Sequence, residues 1–250
     1  MQPLNTLHRF LSDRRHTALL VAIAVAFAVR PLIGDSESAS IVFSFALMLL
    51  LLVAVYTTQV DELVGSRDVL LAQRRRRNIV GWALAVPALI ERLYVVLAPN
   101  PRLYVASSIC WLLFFGFLTW SQLRMLLKHR EVTSETIAMS ISVYLLLGLT
   151  WGILYIAIFQ LHPDAFSFSA VPTPSLALAP DQQHIFPVFI YFSLTTLSTI
   201  GFGDILPLTL QARYAAVAEG ITGQFYLAIL VARLVGMHMS RATNASSGSR

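Results

Sequence analysis

Six consecutive residues have the composition of a cation-coordinating backbone segment: Thr199-Ile200-Gly201-Phe202-Gly203-Asp204. The two glycines can adopt positive φ at low cost, so successive carbonyls need not alternate sides as they do in a β-strand. The segment can therefore aim its carbonyl oxygens and the Thr199 hydroxyl at one axis. A ring of such oxygens replaces the hydration shell of a potassium ion.

The stretch from about Pro187 to Thr209 resembles the potassium channel superfamily, whose selectivity filter reads Thr-Val-Gly-Tyr-Gly-Asp. The later Pro207 and Thr209 follow the same pattern. Ile200 replaces valine conservatively. Phe202 replaces a tyrosine whose hydroxyl, in relatives, bonds to the neighbouring pore helix and holds the filter open.

The resemblance implies a potassium-selective channel that is a homotetramer and has no cofactor, with potassium as the permeant ion. It assigns potassium coordination to 199–202 and the whole filter to Thr199, Ile200, Gly201, Phe202 and Gly203. It gives Thr196 and Asp204 the role of filter support. The family's inner-helix hinge glycine stands about twenty residues after the last filter glycine, where this chain has Gly223.

The composition agrees with an all-α integral membrane protein, because 56% of the residues are hydrophobic and 12% are charged, against roughly 25% charged in soluble domains. Six apolar stretches are long enough to span a bilayer, near 17–33, 40–57, 79–98, 103–127, 136–161 and 211–237. A shorter apolar piece, 186–198, predicts a re-entrant pore helix before the filter. The proline-containing segment 162–185 predicts an irregular outer loop.

Most of the 18 basic residues fall on one side of these spans. The exceptions are Arg30, Arg92, Arg102 and Arg213. The positive-inside rule then places both termini in the cytoplasm and the filter outside, in a plasma membrane, which we expect to be a bacterial inner membrane. The basic charge is thus topogenic and predicts no nucleic-acid partner. The run Arg74-Arg75-Arg76-Arg77 fits a positive-inside anchor, and contact with anionic lipids is the other interpretation.

Several membrane features have two interpretations. The first span is either a retained anchor or a signal peptide cleaved after Ala28. Glu91 and Arg92 either snorkel or pair with a neighbouring span, or they form a modulatory site. Glu219 either hydrogen-bonds behind the filter or raises the cation concentration near the pore.

The last span has two helix-breaking glycines, Gly220 and Gly223, which suggest close packing or bending. Counting helical turns from Gly223 puts one face toward the cavity, unless that face is simply packed. Its residues are Gln224, Ala228, Val231 and Val235. The fourth span carries only Arg124, so the arginine ladder of a voltage sensor is missing from the sequence.

We expect a four-helix N-terminal region at 1–130, a pore domain at 131–240 and a disordered cytoplasmic tail at 241–250. One filter strand per chain cannot surround an ion, so several copies are needed. A weakly selective monovalent cation channel and a non-conducting membrane scaffold are alternatives. A further alternative is a Gly-x-Gly-Asp intramembrane aspartyl protease, which needs a second membrane aspartate beside Asp204, but the other six aspartates fall in predicted loops or tails.

Overall fold

A computed structural model of the chain describes residues 14–33, 37–59, 79, 81–87, 89–90, 104–129, 133–168 and 182–247. This part of the chain is mostly helical. In chain order its elements are α1 (Arg15–Ile33), α2 (Glu37–Gln59), α3 (Tyr104–Lys128), α4 (Ser134–Leu161), a 3-10 turn (Pro163–Ala165), β1 (Phe166–Phe168), α5 (Gln182–Leu197), β2 (Ile205–Pro207) and α6 (Leu210–Ser247). Further helical residues lie at 79, 81–87 and 89–90, within the predicted third span.

Three helices are long and apolar enough to cross a membrane: Val105–Lys128, Ser134–Leu161 and Leu210–Arg233. They fall where the sequence predicts its fourth, fifth and sixth spans. The apolar parts of α1 and α2 are shorter, His16–Val29 and Phe45–Thr57. The structure therefore establishes a membrane-spanning helical protein with three clear candidate spans.

The N-terminal helices pack on the membrane-spanning pair α3 and α4. Helix α1 contacts both α2 and α4, and α3 lies along α4. Large side chains fill the space between them and are almost fully buried: Leu19, Ile23, Leu50, Leu51, Phe114, Phe115 and Leu118. Burying side chains of this size stabilises the packing by roughly 1.5–3 kcal/mol each where the alternative is water.

One end of the bundle brings together the beginning of α1, the beginning of α4 and the end of α3. The Glu135 carboxylate accepts hydrogen bonds from the backbone amides of His16, at 3.1 Å, and Thr17, at 3.4 Å, and from the Thr17 hydroxyl. The Arg233 guanidinium of α6 donates to the last carbonyls of α3, on Leu126 and Leu127, and to the carbonyl of His129 just beyond. These contacts satisfy helix-end groups that have no partner within their own helix.

The short helix α5 packs closely against α4 because α4 has glycines at the crossing. A Cβ added to Gly152 would lie 3.2 Å from the Phe189 carbonyl oxygen and from the Ile190 Cα. A Cβ on Gly148 would meet the Leu194 side chain. The absence of side chains here lets the two helices approach.

The prediction of an irregular loop at 162–185 is partly wrong. Strand β1 pairs antiparallel with β2, which follows the 199–203 segment, with Phe166 opposite Pro207 and Phe168 opposite Ile205. Helix α5 also begins at Gln182, four residues earlier than predicted, and ends at Leu197. The aromatic side chains of Phe166 and Phe168 explain the pairing, since both pack on Phe189 of α5.

Helix α6 is longer than the sequence suggests. It continues without interruption to Ser247, so the predicted disordered tail at 241–250 is helical over most of its length. The predicted domain boundary at 130/131 falls between the described ends of α3 and α4.

Candidate functional site

The backbone of the 199–203 segment alternates in handedness. Thr199, Gly201 and Gly203 have φ of +59°, +52° and +78°, whereas Ile200 and Phe202 are not in the positive range. When every second residue has positive φ, successive carbonyls can all point to one side of the chain. Thr199 is the only non-glycine residue with positive φ in the described part of the chain, and such conformations persist only where the surroundings enforce them.

The last carbonyls of α5 hold the beginning of this segment. The Thr195 carbonyl accepts hydrogen bonds from the amides of Ile200, at 2.8 Å, and Gly201, at 3.1 Å. The Thr196 carbonyl accepts from the Thr199 amide at 3.0 Å. These bonds turn the chain sharply at the C-terminal end of α5, where the helix dipole is negative and favours a cation. Thr196 thus contacts the segment through its backbone, and the role of Thr195 was missed because it depends on its carbonyl.

A tyrosine on α5 holds the other end of the segment. The Tyr191 hydroxyl donates to the Asp204 carboxylate at 2.8 Å, and its ring stacks on Phe202 with ring centroids 6.2 Å apart and planes at 2°. The bond to Asp204 raises the pKa of the Tyr191 hydroxyl. The sequence shows the loss of a hydroxyl at Phe202 but gives no sign of the contact made by Tyr191, a polar-tipped side chain in an apolar helix.

Beyond Asp204, the strand pair fixes the outgoing chain. In addition to the β1–β2 ladder, the Leu208 amide donates to the Ala165 carbonyl at 2.8 Å. The Arg213 side chain, from the first turn of α6, donates to the Pro207 carbonyl at 3.1 Å. The segment is therefore held on both sides, by α5 before it and by β1 and α6 after it.

Gly223 lies where α6 crosses the end of α5. A Cβ at this position would be 2.2 Å from the Leu197 carbonyl oxygen, too close for any side chain. Gly220, one turn earlier, has its nearest neighbour, the Thr196 carbonyl oxygen, at 3.9 Å. Close packing is thus a sufficient reason for Gly223, and α6 is a continuous helix through it. The hinge role stays a prediction.

The Glu219 side chain lies fully buried behind α5, as the first of its two interpretations requires. The Tyr155 hydroxyl of α4 donates to Glu219 Oε2 at 2.6 Å. The Ser193 Oγ of α5 lies 2.5 Å from Glu219 Oε1 and 2.7 Å from the Gly148 carbonyl oxygen. One cluster thus joins α4, α5 and α6. Its other members could not be found from the sequence, since they are distant in the chain.

The predicted cavity face of α6 is uncovered in the single chain. The Gln224 amide donates to the Thr199 hydroxyl at 3.4 Å, which places Gln224 beside the Thr199 end of the 199–203 segment. The other predicted lining residues, Ala228, Val231 and Val235, are also exposed. By contrast, Glu91 and Arg92 lie outside the described residues.

Backbone oxygens are therefore the cation ligands that this site offers. Within the described ranges no group of three or more His, Cys, Asp or Glu side chains could hold a metal ion. Between a membrane span that ends at Leu161 and another that begins at Leu210 lie a short helix and a carbonyl-rich segment. Irregular backbone at membrane depth is tolerated where it lines a water-filled path.

The comparisons with known proteins match this chain to ion channels. A family model described as "Ion channel" matches residues 143–239. The chain is 34% identical over 79 residues to "Potassium channel protein kcv" of Paramecium bursaria Chlorella virus 1, which covers 31% of this chain and 77% of that protein. It is 30% identical over 110 residues to "Two-pore potassium channel 4" of Arabidopsis thaliana, or 44% of this chain and 34% of that protein.

The matches show an ion-channel family, and channels are not a class of enzyme. The chain belongs to the potassium channel superfamily. It spans about a third of the plant relative's length and about three quarters of the viral one's. No solved structure matches the chain.

Proposed function

We propose that the chain forms a potassium-selective channel that conducts passively through a filter made of Thr199 to Gly203. The alternation of φ signs along this segment is the observation that carries the proposal, because it allows a column of carbonyl oxygens. The oxygens of residues 199–202 from several chains would form successive rings, and neighbouring rings would replace the hydration shell of an ion between them. Thr196 and Asp204 would support the filter, the former through its carbonyl and the latter through Tyr191.

The proposal includes a tetramer. The filter side chains are exposed in the single chain, Ile200 by 59% and Phe202 by 68%, and only 17% of the apolar part of α6 is buried, against 56% for α4. Neighbouring copies around a fourfold axis would cover these surfaces and complete the ring of oxygens. The cavity below the filter would be lined by Gln224, Ala228, Val231 and Val235.

The proposed topology has six spans, with four helices in 1–130 and the pore domain in 131–240. The meeting of α1, α3, α4 and Arg233 at one end of the bundle supports a common side for these ends. The positive-inside rule makes that side cytoplasmic. The protein would then reside in a plasma membrane with both termini inside and lipids around its apolar helices.

A potassium-flux assay in liposomes tests this proposal. We expect wild-type protein to pass potassium faster than sodium, and Gly201→Ala to abolish the flux, since an alanine at φ of +52° costs roughly 1–2 kcal/mol per subunit and disfavours the alternating backbone. Gly116→Ala is the matched control, because Gly116 lies in α3 with no atom within 4 Å of an added Cβ.

Equal rates for the two ions would instead support the weakly selective cation channel. No flux from a well-folded tetramer would support the scaffold.

A further inference from the structure

If Glu219 is ionised, too few protons are available for the two hydrogen-bond contacts of the Ser193 hydroxyl. The Ser193 hydroxyl has one proton, and its oxygen has two neighbours at hydrogen-bond distance, Glu219 Oε1 at 2.5 Å and the Gly148 carbonyl oxygen at 2.7 Å. A carbonyl and a carboxylate are both acceptors without a proton to give. Two contacts of this length need two protons between them.

The second proton can come from one place. The Tyr155 proton lies in the bond to Glu219 Oε2, at 2.6 Å, and the Gly148 carbonyl has none. A protonated Glu219 carboxyl supplies it: Oε1–H donates to Ser193, Ser193 donates to Gly148, and Tyr155 donates to Oε2. Every polar atom of the cluster is then satisfied, which is the usual condition of buried polar groups.

The surroundings of Glu219 also favour the neutral form. Its side chain is 0% exposed in the single chain, so its environment is complete without neighbouring subunits. In the described part of the chain, its titratable neighbours are Tyr155 and, further away on α4, Tyr144. No basic side chain is among the hydrogen-bond partners that the described residues give it. An unpaired carboxylate buried in this way would be expensive.

We infer that Glu219 is a neutral carboxylic acid that ties the pore helix α5 to α4 and α6 through a proton donated to Ser193. We expect the protonation state of Glu219 to regulate conduction, and this part of the inference rests on the proposed function. When Glu219 loses its proton, the Ser193 hydroxyl must turn toward the carboxylate and release the Gly148 carbonyl. The helix that holds the filter by its last carbonyls then loses one bond to α4.

Infrared spectroscopy of the reconstituted protein tests the proton directly and needs no conduction. Wild-type protein at neutral pH should show the C=O stretching band of a protonated carboxyl group, and Glu219→Gln should lose it. Tyr155→Phe should retain the band but shift it to higher frequency, because the C=O group loses a hydrogen-bond donor. Glu135→Gln is the matched control, since it removes a carboxyl group from another membrane-spanning helix, α4, and should leave the band unchanged.

A wild-type spectrum without this band, or a band that persists in Glu219→Gln, would overturn the inference. The regulatory consequence is tested by potassium flux from liposomes over a range of pH. Raising the pH through the titration of Glu219 should slow wild-type flux reversibly, whereas Glu219→Gln, which stays neutral, should keep the same flux throughout.

The same pH dependence in both proteins would contradict the regulatory role. Absence of potassium flux with the infrared band present would contradict the proposed function and leave the proton assignment intact.

Discussion

The glycines of α4, of the 199–203 segment and of α6 meet two different physical demands. Gly201 and Gly203 have open space around an added Cβ but positive φ, so their requirement is conformational. Gly148, Gly152 and Gly223 lie in helices and lack a side chain because another backbone or side chain occupies its place. Substitutions at the two kinds of glycine should therefore fail for different reasons.

Gly223 distinguishes packing from hinge motion. We expect Gly223→Ala to lower the stability of the assembled protein by roughly 1–3 kcal/mol, because the new methyl group collides with the Leu197 carbonyl oxygen. Gly220→Ala is the control one turn away, and it should be neutral or stabilising by up to about 1 kcal/mol through better helix propensity. Thermal unfolding in detergent measures both.

A hinge without a packing role predicts another pattern. Gly223→Ala would then be as stable as Gly220→Ala while opening less often in single-channel recordings.

At the scale of elements, a residue of one helix caps another. Glu135 stands in the first turn of α4, yet it accepts the first free amides of α1. A carboxylate at a helix N-terminus is favoured by the dipole as well as by the hydrogen bonds. Helix α1 is thereby tied to α4 as well as to its neighbour α2.

Removal of this cap should loosen α1. We expect Glu135→Ala to lower stability by about 1 kcal/mol, the usual cost of a lost N-cap, and Glu135→Gln to have a smaller effect because its amide oxygen still accepts. Hydrogen–deuterium exchange should accelerate at the amides of His16 and Thr17, while the amides of α3 serve as the internal control. Unchanged exchange at both amides in Glu135→Ala would show that α1 is held by its apolar contacts alone.

Elements were predictable from the sequence where the signal is local. The apolar lengths of α3 and α4 and the glycine spacing at Gly201 and Gly203 needed no knowledge of tertiary structure. The β1–β2 pairing was missed because three residues near Phe166 gain their order from a partner about forty residues away. The cluster around Glu219 was missed for the same reason, since Tyr155 meets it only when the helices pack.

The backbone conformation of the candidate site was predictable from the sequence, whereas its supporting contacts were not. The backbone that offers oxygens follows from the glycines, whereas the carbonyl of Thr195 and the ring of Tyr191 have no signature in sequence. The length of α6 was also underestimated, because polar residues near Ser247 resemble a tail when judged by composition.

The proposed assembly of the whole molecule rests on each chain having one proposed filter segment, 199–203. We expect a fourfold homotetramer, since one strand of carbonyls supplies one side of an axial ion site. Native mass spectrometry of the purified protein should give four copies, and chemical cross-linking should produce a ladder that ends at the tetramer. A ladder that stops at the dimer would rule out the fourfold pore.

We also expect gating to depend weakly on voltage. Each charge that crosses the field is worth about 2.3 kcal/mol per 100 mV, and steep gating uses three or four per subunit. Helix α3 has Arg124 near its C-terminal end, where the guanidinium lies over the Trp120 ring at 5.0 Å. Arg92, outside the described residues, is a basic residue within the third predicted span.

Planar-bilayer recordings in symmetrical potassium measure this. Open probability should change little over roughly 100 mV, and Arg92→Gln and Arg124→Gln should leave the slope unaltered. A steep sigmoidal conductance–voltage relation that flattens in Arg92→Gln would show that this residue acts as a sensor.

A reversal potential measures whether the proposed filter, the 199–203 backbone, selects potassium over sodium. Wild-type protein would be reconstituted in a planar bilayer with potassium on one side and sodium on the other at equal concentration. Potassium selectivity predicts a reversal potential far from zero, with the potassium side negative, because outward-moving potassium leaves that side negatively charged. A reversal potential at zero in this asymmetric condition would contradict a potassium-selective filter.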